Sequence, residues 1–298
     1  MKVAIENVVK TYDKSVLQNV SLNIDKPGVY LIAGPNGSGK TTLLEIIAGL
    51  RKADSGTIRV NGFQNGSMEA KKCLGFLCQQ NGLRKTIKLR EEMQLVKEIF
   101  GKEIDDIEYL SRFELQDYYN KRTSTLSGGT KRRFLTAMLF LAQQDIVVLD
   151  EPASGLDTYS RDEIWNTVSE YGREHIVIVS DHYLNQARLY SDEIILLDTG
   201  KIIANGSFEQ IRQMCPCEKL VKVRREQLNS TKNIIEASNV KYEVKTSGTV
   251  CNIYLKNNSA AVLEELAKHK FASRDPDLED IYFYLTGKKS CEQEENNR

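Results

Sequence analysis

The segment Gly34-Pro35-Asn36-Gly37-Ser38-Gly39-Lys40-Thr41, with Thr42 after it, follows the pattern G-x-x-x-x-G-K-[ST] over its eight residues. Its glycines let the backbone curl until successive N–H groups point at one anion, and a helix starting at the loop adds its positive end. The chemistry is phosphate binding. In such a loop Lys40 reaches the β- and γ-phosphates of a nucleotide, and the hydroxyl of Thr41 serves a Mg²⁺ ion. Farther along, Asp150 and Glu151 close the apolar run DIVVLD. An acid at a buried strand end, downstream of a phosphate loop, holds Mg²⁺, and the next carboxylate is placed to polarise an attacking water. Leu126-Ser127-Gly128-Gly129-Thr130 precedes an apolar helical pattern. Ser127 is a good N-cap, and Gly128 and Gly129 leave the helix start bare enough to take an anion.

These residues need a scaffold, and the chain supplies an alternating one. Short β-branched runs alternate with longer helical patterns, the mark of an α/β sheet. Strands are expected over 3–9, 17–24 and 29–33, the third running directly into the phosphate loop. The helix after that loop places Leu43, Leu44, Ile46, Ile47 and Leu50 on a buried face and stops between 49 and 54. Residues 83–125 read as helical and polar, interrupted at Gly101. The runs over 145–150, 175–180 and 193–198 are continuously apolar, as parallel strands covered on both faces are. A turn over 198–201 then leads to a hairpin with KIIANG.

Composition shifts near Met214. From there the order is strand, helix, strand, strand, helix, strand, closed by a helix over LEDIYFYL. That order suggests a small α+β, ferredoxin-like unit. The expected organisation is a first domain over 1–214, an accessory domain over 215–287 and a disordered tail over 288–298.

The 298 residues carry 41 basic and 41 acidic side chains, and the net charge of zero argues against a chain built to grip nucleic acid. The longest nearly unbroken apolar stretch, 134–142, is far short of the roughly 18 residues a membrane span needs. Glu6 and Lys10 stand where a signal peptide would be apolar. Cys73, Cys78, Cys215, Cys217, Cys251 and Cys291 are scattered, as reduced thiols are. Cys215-Pro216-Cys217 reads as linker, Lys131-Arg132-Arg133 as a solvated basic helix start, and His175 and His269 as structural or solvated.

In their order along residues 2–213 these motifs resemble the nucleotide-binding subunit of ATP-binding cassette (ABC) transporters. GPNGSGKT is similar to its Walker A, LSGGT to its signature and IVVLDEP to its Walker B. SGLD, ending at Asp157, resembles its D-loop. Gln79 in LGFLCQQ, with Gln80 beside it, resembles the Q-loop. His182 in SDH resembles the switch histidine, and Tyr12 in KTYDKS the adenine-stacking aromatic. Thr130 replaces the frequent Gln after LSGG, and Cys78 stands where a proline is common. The resemblance implies a phosphate-loop NTPase fold of the α/β class, with a RecA-like core, an antiparallel β subdomain and a helical subdomain.

It also implies a mechanism. ATP and Mg²⁺ would be the ligands, the metal served by Thr41, Gln79 and Asp150. Glu151 would be the general base and His182 the γ-phosphate clamp. Two cassettes, most simply identical, would close head to tail on two nucleotides. Ser127, Gly128 and Gly129 would then serve the partner's γ-phosphate, and Asp157 would line the seam. An integral-membrane permease would dock between Gln79 and Leu126, leaving the chain cytoplasmic and peripheral on the inner face of the membrane. No nucleic-acid partner is implied. DPDLEDIYFYLTG (275–287) is similar to the ending of stand-alone ATPase subunits of ABC-2-type exporters, which implies export of a drug, antibiotic, peptide or polysaccharide. A soluble ABC ATPase acting on ribosomes or nucleic acid, or a low-turnover sensor or immunity protein, is the other reading.

Overall fold

The computed structural model describes residues 1–79, 83–84, 86–257 and 260–287, and the chain divides into two compact units, Met1–Asn205 and Gly206–Arg298. Gln80, Cys291 and the 288–298 tail lie outside the described residues.

The first unit opens with β1 (Val3–Thr11) and β2 (Ser15–Ile24), where Val3, Ile5, Val20, Leu22 and Ile24 form one apolar face. Alternation ends at β3 (Gly28–Ala33): all six residues are buried, because the strand is covered on both sides. There follow α1 (Lys40–Ile47), β4 (Ser55–Val60), β5 (Phe63–Gln64), α2 (Met68–Cys73) and β6 (Leu74–Leu77). The polar stretch contains α3 (Leu89–Phe100) and α4 (Asp106–Ser111), and Gly101 ends α3. Next come α5 (Gly128–Leu141), β7 (Ile146–Asp150), α6 (Thr158–Gly172), β8 (Ile176–Ser180), α7 (Leu184–Ala187), β9 (Glu193–Asp198) and β10 (Lys201–Gly206). One expectation needs correcting. The helix after the phosphate loop stops at Ile47, the chain turns at Gly49, and Leu50 ends on the surface, 66% exposed.

These strands make two sheets, an antiparallel one ordered β2-β1-β4-β5 and a larger one ordered β10-β9-β3-β8-β7-β6. Within the larger sheet β9, β3, β8, β7 and β6 run parallel. The register sets Ile32 beside Ser180, Ser180 beside Asp150, and Leu77 beside Leu149. Strands that run parallel and end level open all their following loops on one edge. The loops after β3, β6, β7 and β8 therefore share an edge, and each carries one of the residues singled out above.

The second unit holds α8 (Phe208–Gln213), β11 (Lys219–Arg224), α9 (Leu228–Ala237), β12 (Tyr242–Ser247), β13 (Val250–Leu255), α10 (Ala260–Lys268), β14 (Ser273–Arg274) and α11 (Leu278–Thr286). Its sheet is antiparallel and ordered β12-β13-β11-β14, the ferredoxin-like arrangement. Val221, Ile235, Ile253, Leu255, Val262 and Leu266 fill its core. Because α8 packs on α11, the division falls before α8 rather than after Met214. Cys215 and Cys217 are consequently not an exposed linker: both are buried, with their sulfurs 3.3 Å apart.

Candidate active site

Helix α1 begins from Gly39, whose φ of 107° suits glycine, and no side chain caps it. The N–H groups of its first turn have no intrahelical partner, so the loop presents donors and a positive helix end together. At Gly34 a Cβ would come within 2.1 Å of the Leu197 carbonyl oxygen, so no larger residue fits. Lys40 is buried, and its ammonium folds back on the loop to donate to the carbonyls of Gly34 (2.8 Å) and Pro35 (3.2 Å). The buried hydroxyl of Ser38 has no hydrogen-bond partner among the described residues. Asn36, Gly37 and Thr41 are exposed at the rim, with Thr42 half-buried.

At the end of β7, Asp150 is buried and accepts a 2.5 Å hydrogen bond from the Ser180 hydroxyl at Oδ1. Its Oδ2 has no hydrogen-bond partner among the described residues. Glu151 adopts φ 49°, a conformation rare for a residue with a side chain. Its N–H donates to both the carbonyl and the hydroxyl of Ser180, each at 3.1 Å, which holds that turn. From there Glu151 Oε2 accepts from Gln79 Nε2 at 2.8 Å, and His182 Nδ1 lies 3.9 Å from the same oxygen. His182 Nδ1 is also 3.7 Å from Asp181 Oδ1, which takes the Tyr183 N–H at 2.8 Å. Burial holds the Asp181 carboxyl above the usual range. Gln79, Glu151 and His182, widely spaced in sequence, are thus brought to one point.

The remaining residues stand elsewhere. Tyr12, in the turn from β1 to β2, is 46% exposed, with the Lys10 ammonium 5.3 Å and the Arg51 guanidinium 5.5 Å from its ring. Ser127 caps α5, its Oγ accepting the Thr130 N–H at 3.1 Å, and Ser127 and Gly128 are exposed. Asp157 caps α6 through the Ser160 N–H (3.0 Å) and hydroxyl (2.8 Å). The two helix starts are neighbours, since a Cβ on Gly129 would lie 3.1 Å from Leu156 Cδ2. His175 stacks on Tyr171 at 4.1 Å and His269 is exposed beside Glu265, so neither joins the cluster.

The basic run after the signature differs from the expected solvated start. Arg132 is 8% exposed and its guanidinium is enclosed by main-chain carbonyls of the β6 and β7 loops. Its neighbour Arg133 pairs with Glu114 and Glu163. A signal was present in the sequence. Arg132 lies four and eight residues before Thr136 and Phe140, on a helical stripe that is buried throughout.

A sequence profile of the ABC transporter family matches residues 17–154. Residues 17–154 thus carry an ABC transporter domain. The cassette is 28% identical to a Nod factor export ATP-binding protein I of Rhizobium etli, over 95% of this chain and 92% of that protein. It is also 28% identical to a daunorubicin resistance ATP-binding protein of Streptomyces coeruleorubidus, over 96% of each. Among solved structures, a dimeric ATP-binding cassette in a post-hydrolysis state with ADP and Pi superposes with a TM-score of 0.62. It is 27% identical, over 69% of this chain and 98% of that one. The cassette is therefore an ATP-binding ATPase of the ABC type. No helix among its described residues is long and apolar enough to cross a membrane.

Proposed function

We propose that this chain is the ATP-hydrolysing subunit of an ABC-2-type exporter whose membrane permease is a separate chain. The observation that carries the reading is the meeting of Gln79, Glu151 and His182 beside an unpartnered Asp150 oxygen. A site for binding alone has no need of a carboxylate aimed at a glutamine and a histidine. The near full-length match to exporter and resistance ATP-binding proteins supports the cargo class: a drug, antibiotic, peptide or polysaccharide.

Gly34, Pro35, Asn36, Gly37, Ser38, Gly39, Lys40, Thr41 and Thr42 hold the phosphates. Lys40 exchanges two loop carbonyls for phosphate oxygens, and Ser38 gains the partner it lacks. The adenine stacks on Tyr12, whose flanking cations suit a polyphosphate nearby. A buried acceptor with no donor among the described residues, at Asp150, fits Mg²⁺ or its bound water, and the exposed Thr41 hydroxyl and Gln79 complete the protein's share of ligands. The ion, when bound, neutralises charge on the transferring phosphoryl group. Glu151 takes the proton of the attacking water, and His182, held by Asp181, contacts the γ-phosphate. Ser127, Gly128 and Gly129, exposed at the start of α5, serve the nucleotide of a second copy, and Asp157 lines the seam between them. The permease docks on the segment from Gln79 to Leu126, which makes the chain peripheral on the cytoplasmic face.

The test uses a trapped variant. Glu151→Gln, tagged and purified from gently solubilised cells with ATP present, should bring down a multi-span membrane protein in near-stoichiometric yield. Recovery of ribosomes, nucleic acid or no partner would overturn the permease reading.

A further inference from the structure

Among the described residues Arg132 makes five hydrogen bonds, every one to a main-chain carbonyl. Nε donates to Pro152 at 3.1 Å, Nη1 to Cys78 at 2.7 Å and Gln79 at 3.4 Å, and Nη2 to Asp150 at 2.6 Å and Glu151 at 3.0 Å. A buried cation ordinarily offsets its desolvation against a carboxylate. Here burial does pull the guanidinium pKa down, and the planar fork is committed to placing backbone instead.

The carbonyls belong to two loops. One leaves β6 and carries Gln79; the other leaves β7 and carries Glu151. The strand register between β6 and β7 reaches Leu77 opposite Leu149. Beyond that pair, the guanidinium bridges the two chains where they diverge. One rigid group thereby sets the spacing of both loops, and the 2.8 Å contact of Gln79 with Glu151 sits on top of that bridge.

We infer that Arg132 is a positioning residue for hydrolysis, fixing the main chains of Gln79 and Glu151 against each other. It stands on α5, whose first turn follows Ser127. A displacement of that helix start is thereby passed to the base. The inference rests on the roles proposed above for Gln79 and Glu151.

The test compares steady-state ATPase kinetics of the full chain. If the unmodified chain hydrolyses no ATP, the functional reading itself fails. If it does, Arg132→Met should lower kcat about 10²-fold, as a misplaced catalytic group does, with KM within about threefold. Arg132→Lys, one point of donation in place of a fork, should recover only part of that loss. In a Glu151→Gln background, adding Arg132→Met should lower the residual rate by no more than about twofold, because the two act through one group. An unchanged kcat, a loss carried in KM, or equal losses in both backgrounds would overturn the inference. Should Arg132→Met fail to fold, Arg132→Lys decides by the same comparison of backgrounds.

Discussion

Asp150 in the first unit and Asp280 in the second are both 1% exposed, and they end in opposite conditions. Asp280 Oδ1 lies 2.8 Å from the Lys222 ammonium, an ion pair outside hydrogen-bond geometry, while Oδ2 lies 2.6 Å from the Arg274 guanidinium and accepts the Asp277 N–H at 3.0 Å. Asp150 has one hydroxyl on one oxygen and, among the described residues, no hydrogen-bond donor or cation on the other. A carboxylate taken out of water without a cation costs several kcal/mol. The second unit offsets that cost internally, so its acid ties α11 to β11 and β14. The first unit leaves the charge incomplete beside Glu151, whose backbone is itself strained. A buried carboxylate paired with cations builds a fold, and one without a cation awaits a ligand.

Substitution at each acid should break the comparison if it is mistaken. Asp150→Asn keeps size and the Ser180 contact but removes the charge. ATP turnover should fall about 10³-fold, roughly 4 kcal/mol of transition-state stabilisation. The nucleotide-free chain should melt no lower than the parent, since an uncompensated charge has gone. A clear drop in its melting temperature would mean that Asp150 is structural. Asp280→Ala should do the reverse, lowering stability in urea while ATP affinity holds. Lys222 and Arg274 are 32% and 42% exposed and can regain water, so the expected cost is about 2 kcal/mol rather than the larger figure for a fully buried pair. Loss of ATP binding would sink the separation of roles.

What was legible in the sequence follows the range of the forces involved. The phosphate loop, the strand-end acids and the helix caps are local, because glycine geometry, apolar runs and capping side chains act over a few residues. The parallel strands and the ferredoxin-like order were readable for the same reason. β6 was not. It is four residues long, and Gly75 within it leaves room for Gln144 and Leu139, whose side-chain ends lie 2.5 and 2.6 Å from where its Cβ would be and would have to shift for a larger residue. Arg132 reads as solvated in the sequence because arginine usually is. Only the chain returning through Cys78 and Glu151 supplies the carbonyls that bury it. Leu50 fits the helical period on paper, yet the helix ends first.

Smaller effects sharpen the same contrast. Tyr12→Ala should weaken ATP binding about tenfold, the size of one base–aromatic stack, and Tyr12→Phe should bind nearly as the parent does. Equal losses in both would assign the effect to the hydroxyl instead. The buried hydroxyls of Ser38 and Thr231 form a matched pair, since Thr231 Oγ1 donates to the Gln227 carbonyl at 2.8 Å and Ser38 Oγ donates to none among the described residues. Ser38→Ala should therefore cost about fivefold in ATP affinity and no stability, and Thr231→Val about 1 kcal/mol of stability and no affinity. Calorimetric titration beside urea unfolding reads both, and a swapped outcome would defeat the contrast.

The smallest expected effect is a pH dependence at the surface. The Ser160 N–H, and then its hydroxyl, hold the Asp157 carboxyl below the usual carboxylate range in the folded chain. With the folded pKa below the unfolded one, the cap's contribution is complete above the unfolded value, roughly pH 4. It is lost as pH falls through the folded value, because the unfolded chain takes up the proton first. Asp157→Asn keeps a competent N-cap and removes the titration. Its melting temperature near neutrality should match the parent's, and on acidification it should fall by less. A variant falling as steeply as the parent would show that Asp157 holds no bound form of its charge in α6. Its carboxylate would then be free for the seam between two cassettes.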